Sequence, residues 1–313
     1  MANKQITLMT VHAHPDDEVV FTGGTLLLYH NRGVKTVLIT ATGGEEGEIH
    51  DPDLDPEEAK PRLGEIRREE LRRGTEILKI DHVELLNYRD SGMAGTDSNK
   101  REDNFHNADL EEATQKVVRL VREHKPQILI TYDENGAYGH PDHIKCNVIT
   151  QAAFEKAGDA QYSPELGEPW QPLKLYYTHW PEENWKQARE MFIERGLKWP
   201  WDNEEEQASV DPEHLSDEEA LVEHAEKVEE AKEEGKPPEY VPPPVTTRVN
   251  VRDVFRQKRD ATQVHRTQFD PNGLFNTMPE DIAQVAFGEE HYSLIASRVS
   301  APEQEDDLLA GIE

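Results

Sequence analysis

The chain of 313 residues contains one cysteine, Cys146, which excludes an intramolecular disulfide framework. Positive charge is scarce: 34 Lys and Arg stand against 64 Asp and Glu, a formal net charge of −30. Such a balance excludes binding to a phosphate backbone or an anionic membrane by overall attraction. No run of about 18 apolar residues occurs, so no membrane-spanning helix is expected. The first residues enter a strand-like pattern without the apolar stretch of a signal peptide. Together these absences describe a soluble, cytoplasmic protein with neither nucleic-acid nor membrane partners. Hydrophobic residues make up only 35% of the chain, low for a globular protein. Even so, residues 6–11, 34–39 and 127–132 form short apolar runs suited to a buried sheet. The polar excess is therefore expected in insertions and not in the core.

Two periodicities alternate along the first 180 residues. Strand-like runs fall at 6–11, 34–41, 82–86, 127–132 and 173–178. Helical spacing falls at 19–30, 62–78, 110–124 and 144–157. This alternation predicts an α/β domain, a mostly parallel sheet with helices on both faces. Residues 202–234 break the pattern, with 15 acidic residues against Lys227 and Lys232, and a Pro-rich stretch follows at 236–244. Their composition predicts a solvated helical insertion and a stiff linker, without a role in the chemistry. A strand at 247–251, a helix at 254–266 and a frayed acidic tail from Pro302 complete the reading. The expected organisation is a catalytic core over 1–180, an insertion over 181–245 and completing elements over 246–313.

The chemistry concentrates in two strings, each after a strand and before a helix. The first is Val11-His12-Ala13-His14-Pro15-Asp16-Asp17-Glu18. In open α/β sheets, ligands bind at the carboxyl ends of the strands, where this string lies. His14 and Asp17 are ordinary zinc ligands. Asp16 and Asp17 are adjacent, so their side chains diverge, and one can bind metal while the other faces the attacking water. The second string is Tyr132-Asp133-Glu134-Asn135-Gly136-Ala137-Tyr138-Gly139-His140-Pro141-Asp142-His143. Pro141 suits a first helical turn, which aims His143 at the same sheet edge as His14. Two imidazoles and a carboxylate, with a fourth position open, are what a catalytic zinc requires. Cys146 and His12 read as core residues, and His265 as a surface residue without assignment.

The pair His-Pro-Asp-Asp-Glu and His-Pro-Asp-His resembles the zinc-dependent N-acetylglucosaminylphosphatidylinositol deacetylase family, also called PIG-L or LmbE-like. The resemblance spans most of residues 5–180 and implies a Rossmann-like α/β fold. It implies metal ligands His14, Asp17 and His143, a general base Asp16, and zinc, with iron(II) as the alternative in the cell. Its substrate would be a small N-acetylated amino sugar.

Three segments, Tyr88–Asp97, Gly43–Glu48 and Tyr138–His143, resemble the mycothiol-pathway deacetylase subfamily, which acts on 1-D-myo-inositol 2-acetamido-2-deoxy-α-D-glucopyranoside. That likeness places substrate contacts on Arg67, Asp90 and Met93. A neighbouring subfamily, the mycothiol S-conjugate amidases, shares the look of residues 131–136 and 66–71. Deacetylases of other thiol pathways, and a metal-dependent sugar binder without turnover, stand as further alternatives. The intact Asp16 argues against the binder.

In the mechanism these residues imply, Asp16 takes a proton from the attacking water. The Tyr138 hydroxyl stabilises the oxyanion. His140, held by Asp142, is cationic or a donor, and either Asp16 or His140 protonates the leaving amine. Glu48, ending a Gly-rich loop, bonds a substrate hydroxyl or faces solvent. No oligomeric state is read from the sequence.

Overall fold

Strand β1 (Thr7–His12) is buried at every position, and β2 (Lys35–Thr42) at all but its first. Such runs have no polar face to turn to water, so both faces must be covered by other elements. The computed structural model describes residues 5–197, 199, 240–302 and 304–312. It places β1 and β2 within a seven-stranded sheet of order β3-β2-β1-β4-β5-β7-β6. The remaining strands are β3 (His82–Tyr88), β4 (Ile128–Thr131), β5 (Lys174–His179), β6 (Thr247–Asn250) and β7 (Glu289–Ser297). Strands β1 to β5 pair in parallel, and β7 and β6 add an antiparallel edge. The expected α/β fold is therefore present as a mixed sheet with helices on both faces.

Alternate residues feed two apolar layers. Met9, Val11, Leu129 and Tyr177 join one, while Leu8, Ile128, Ile130 and Tyr176 join the other. The second layer also takes Val249, Val251, Ala261, Tyr292 and Leu308, so the C-terminal residues pack against the same sheet as the N-terminal ones. A third apolar cluster surrounds Trp185, Phe192 and Phe255.

The helices are α1 (Asp17–Phe21), α2 (Gly23–Asn31), α3 (Pro56–Ala59), α4 (Leu63–Ile77), α5 (Leu110–His124), the short turn α6 (Gly136–Gly139), α7 (Pro141–Lys156), α8 (Glu182–Glu194), α9 (Phe255–Val264), α10 (Leu274–Thr277) and α11 (Glu280–Phe287). The single helix expected over 19–30 is two, α1 and α2, broken at Thr22. Thr22 leaves the helical region at φ −139°, and its hydroxyl meets His12 Nε2 at 2.8 Å. Gly24 brings α2 close to the residue that follows β6: a Cβ there would lie 2.6 Å from the Cβ of Val251.

The tail also departs from expectation. Glu305 is buried and accepts from Lys174 Nζ at 2.7 Å and from the Tyr176 hydroxyl at 2.6 Å. Leu308 is fully buried. A buried lysine on β5 gives this acidic segment a reason to dock instead of fraying. The acidic stretch 202–234 lies outside the described residues.

Candidate metal centre

The turn between β1 and α1 is shaped by its polar groups. The His14 backbone N–H donates to Asp17 Oδ2 at 2.7 Å, which folds the Asp17 carboxylate back toward the His14 ring. Asp16 sits at φ 123°, a conformation that costs an L-residue of order 1–3 kcal/mol and persists only when its surroundings hold it. Three groups hold it here. The Asp16 N–H donates to Glu18 Oε2 at 2.9 Å, its carbonyl accepts from Val19 N–H at 3.1 Å, and Arg67 Nη2 donates to Asp16 Oδ1 at 3.0 Å.

The turn between β4 and α7 is strained in the same way, with Ala137 at φ 65°. Gly136 has φ 62°, and a Cβ there would lie 2.7 Å from the Cβ of His143. His140 caps α7, its Nδ1 accepting the Asp142 N–H at 3.2 Å, and Pro141 opens the helix. These contacts aim His143 at β1.

Three donor groups converge there. His14 Nδ1 and His143 Nε2 are 3.2 Å apart; Asp17 Oδ2 is 3.4 Å from the first, and Asp17 Oδ1 is 3.5 Å from the second. A tetrahedral ion bound at 2.0–2.1 Å keeps its ligand atoms about 3.3 Å apart, and the two imidazoles, each faced by a different Asp17 oxygen, have that spacing. His140 lies in the same cluster, within 4.8 Å of His14 and His143 donor atoms. His14, Asp90 and Asp142 form a second group able to hold a cation. All three histidines and Asp17 are buried.

The electrostatics differ within this set. Burial holds the His143 imidazole down to about 3, against the pull of Asp17, so it is neutral and able to ligate. Burial would also lower His14, but Asp90, Asp142 and Asp17 outweigh it and raise that group well above the usual range. Asp17 is held well below its usual range despite burial, by His143 and His14. Asp16 rises to about 7, from burial and from Asp17, opposed by Arg67. A cation in the triad would draw it down again.

The residues expected to contact substrate fall differently. Arg67 is 3% exposed, and its guanidinium is committed to Gly44 O, Pro15 O and Asp16 Oδ1. Its two terminal nitrogens hold the turn around Asp16, and its Nε is buried without a partner among the described residues. Asp90 is equally buried, accepting from Gly92 N–H at 2.8 Å and Glu46 N–H at 3.0 Å, with Oδ1 3.5 Å from His14 Nε2. Asp142, expected to hold His140, instead accepts from Ser91 N–H at 3.0 Å and the Ser91 hydroxyl, and faces His14 Nε2 at 3.4 Å. Asp90 and Asp142 thus fix the His14 ring so that Nδ1 points into the triad, the usual arrangement behind a metal-bound histidine.

His140 is not cationic: burial, then His14, lowers it. With Nδ1 accepting, its proton sits on Nε2, which makes it a donor. Tyr138 remains 58% exposed, with its hydroxyl 3.5 Å from His143 Nε2. Met93 is exposed. The Glu48 carboxylate is exposed and pairs with His50 at 3.1 Å, away from the cluster. Asp90→Ala is therefore expected to weaken metal binding about 10–100-fold, the typical cost of losing such a supporting carboxylate. Chelator competition measures this, and a rise in KM with metal affinity unchanged would return Asp90 to the substrate.

Ser91 and Tyr132 escaped the sequence reading as site residues. Tyr132 is fully buried, accepts the Ala13 N–H at 2.9 Å and stacks on His143 at 4.1 Å between ring centroids. His265, expected on the surface, is fully buried, with Nε2 2.8 Å from Glu18 Oε1. Its partner lies 247 residues away, and no local pattern announces it.

The family model described as PIG-L: GlcNAc-PI de-N-acetylase matches residues 9–154. A 1D-myo-inositol 2-acetamido-2-deoxy-alpha-D-glucopyranoside deacetylase of Geodermatophilus obscurus is 36% identical over 312 residues, covering 97% of each chain. A mycothiol S-conjugate amidase of Streptomyces coelicolor is 35% identical over 314 residues, covering 98% of each. Among solved structures, the N,N'-diacetylchitobiose deacetylase of Pyrococcus horikoshii aligns with 92% of this chain and 83% of its own, with a TM-score of 0.55 and 16% identity, a likeness of fold.

Proposed function

Because this chain belongs to the PIG-L, GlcNAc-PI de-N-acetylase family, we propose that it is a metal-dependent deacetylase of a small N-acetylglucosaminide. The substrate we assign is 1-D-myo-inositol 2-acetamido-2-deoxy-α-D-glucopyranoside, and the metal zinc, with iron(II) the alternative occupant. The observation that carries this is the convergence of His14, Asp17 and His143 donor atoms within 3.2–3.5 Å, beside a separately anchored Asp16. Zinc held by those three residues would supply Lewis-acid activation of the water and of the acetamide carbonyl.

The protein's own groups do the rest. Asp16 takes the proton of the attacking water, its carboxylate steadied by Arg67 at 3.0 Å. The exposed Tyr138 hydroxyl and the His140 Nε2–H stabilise charge developing on the carbonyl oxygen. Asp16, once protonated, and His140 are both positioned to return a proton to the leaving amine.

A second reading is supported by the amidase relative: cleavage of the glucosamine–cysteine amide of a mycothiol S-conjugate. Metal-loaded protein assayed side by side on the two amides separates them. We expect kcat/KM on the acetylated inositol glucosaminide to exceed that on a mycothiol S-conjugate by about tenfold or more, since about 1.4 kcal/mol of differential transition-state binding suffices. The reverse order would transfer the assignment to the amidase, and no release of acetate or amine from either would remove both.

A further inference from the structure

Beneath Asp16 lies a polar pair that the proposed reaction does not use. Glu18 and His265 are both 0% exposed. Glu18 Oε2 accepts the Asp16 N–H at 2.9 Å, and Glu18 Oε1 accepts from His265 Nε2 at 2.8 Å. The carboxylate thus bridges the end of α9 and the strained residue. His265 Nδ1 has no hydrogen-bond partner among the described residues, so the bond to Glu18 is the one the ring makes.

Helix α4 is shaped to admit this pair. Gly74 stands inside it, where glycine costs roughly 0.5–1 kcal/mol relative to alanine. A Cβ at Gly74 would lie 2.9 Å from His265 Nε2 and 3.5 Å from Glu18 Oε1. The neighbours of His265 fasten the same corner: Thr267 donates to Glu70 through both its N–H and its hydroxyl, and Arg266 reaches Asp51 at 2.7 Å and Asp53 at 2.6 Å.

We propose that His265 and Glu18 are positioning residues for Asp16. They clamp its backbone at φ 123°, so that its carboxylate stands beside the triad instead of within it. Arg67 fixes the side chain from one side, and the Glu18–His265 pair fixes the backbone from below. Without the clamp, Asp16 is held at φ 123° only by the amides on its carbonyl and by Arg67, so its backbone N–H loosens and the carboxylate is placed less firmly. The proposal rests on the reading of Asp16 as the general base, but its primary test does not depend on turnover.

The test uses the zinc-loaded full chain as wild type, His265→Phe, which keeps a ring and removes the donor, and His265→Gln, which keeps an N–H donor. Amide hydrogen exchange at Asp16 should accelerate in His265→Phe and return toward wild type in His265→Gln, with zinc stoichiometry unchanged in both. Acetate release should show kcat lowered about 10–100-fold in His265→Phe with KM little changed, the scale expected of a misplaced catalytic group.

In an Asp16→Asn background the same His265→Phe change should cost almost nothing further, because both act through one group. If His265→Phe does not fold, Glu18→Met, which removes both acceptor oxygens, carries the same measurements. Unchanged Asp16 exchange, or a full further loss in the Asp16→Asn background, would overturn the proposal. Failure of the deacetylase reading shows separately, as absence of acetate release by wild type.

Discussion

Asp16→Asn is expected to leave zinc bound and to lower kcat by about 10²–10⁴-fold, the usual worth of a general base. Asn keeps the size of the side chain, and its amide oxygen still accepts from Arg67 Nη2, which sits 3.0 Å from Asp16 Oδ1. Asn also tolerates positive φ better than most residues, so the turn at φ 123° keeps its shape. What disappears is the ability to take a proton. The three proposed ligands, His14, Asp17 and His143, meet without Asp16, so metal stoichiometry after dialysis should stay at one per chain. Acetate release and metal analysis on one preparation decide the matter. Full metal with turnover within about threefold of wild type, far inside the range of a lost base, would take the role from Asp16.

Glu305→Ala is expected to destabilise the fold by about 3–5 kcal/mol, because it leaves a buried ammonium without its partner. Lys174 and Glu305 have fully buried side chains 2.7 Å apart, and Glu305 also takes the hydroxyls of Tyr176 and Thr247. Tyr176 and Lys174 lie on β5, and Thr247 opens β6, so the one carboxylate joins the tail to two strands. Replacing both charges, as Lys174→Met with Glu305→Gln, should recover much of the loss, since a buried pair contributes less than its breakage costs. Urea unfolding at fixed zinc concentration measures both, zinc being held constant because it stabilises the native state by mass action. A loss under about 1 kcal/mol for Glu305→Ala would place water at Lys174.

What was legible in the sequence is what local chemistry writes. Helix α5 begins and ends where the apolar spacing and the Asp109 cap put it, since the Asp109 side chain accepts from Glu112 N–H. The strands β1, β2, β4 and β5 announced themselves as apolar runs buried on both faces. The meeting of His14, Asp17 and His143 was legible because the two strings that carry them follow strands β1 and β4, which are neighbours in the sheet. The break at Thr22 was not, because it answers to His12, a partner outside the helix. Strand β7 was missed, its run of residues mixing Glu290 and His291 with Tyr292 and Leu294. The burial and partners of Arg67, Asp90 and Asp142 were not legible for a related reason. A charged residue near a site looks the same in sequence whether it touches a substrate or holds a neighbour, and only burial and partners separate the two.

The Glu18–His265 bond also sets a clock. A ribosome adds roughly 5–20 residues per second, so the 247 residues between these partners take about 10–50 s to make. Glu290, which accepts from the N–H groups of Gly24 and Thr25 at the start of α2, comes later still. For roughly the second half of that interval the nascent chain already contains His14, Asp17 and His143, while Glu18 and the first turn of α2 wait for their partners. On the proposed assignment, all three metal-binding residues are made by residue 143, whereas the support beneath Asp16 arrives only with His265.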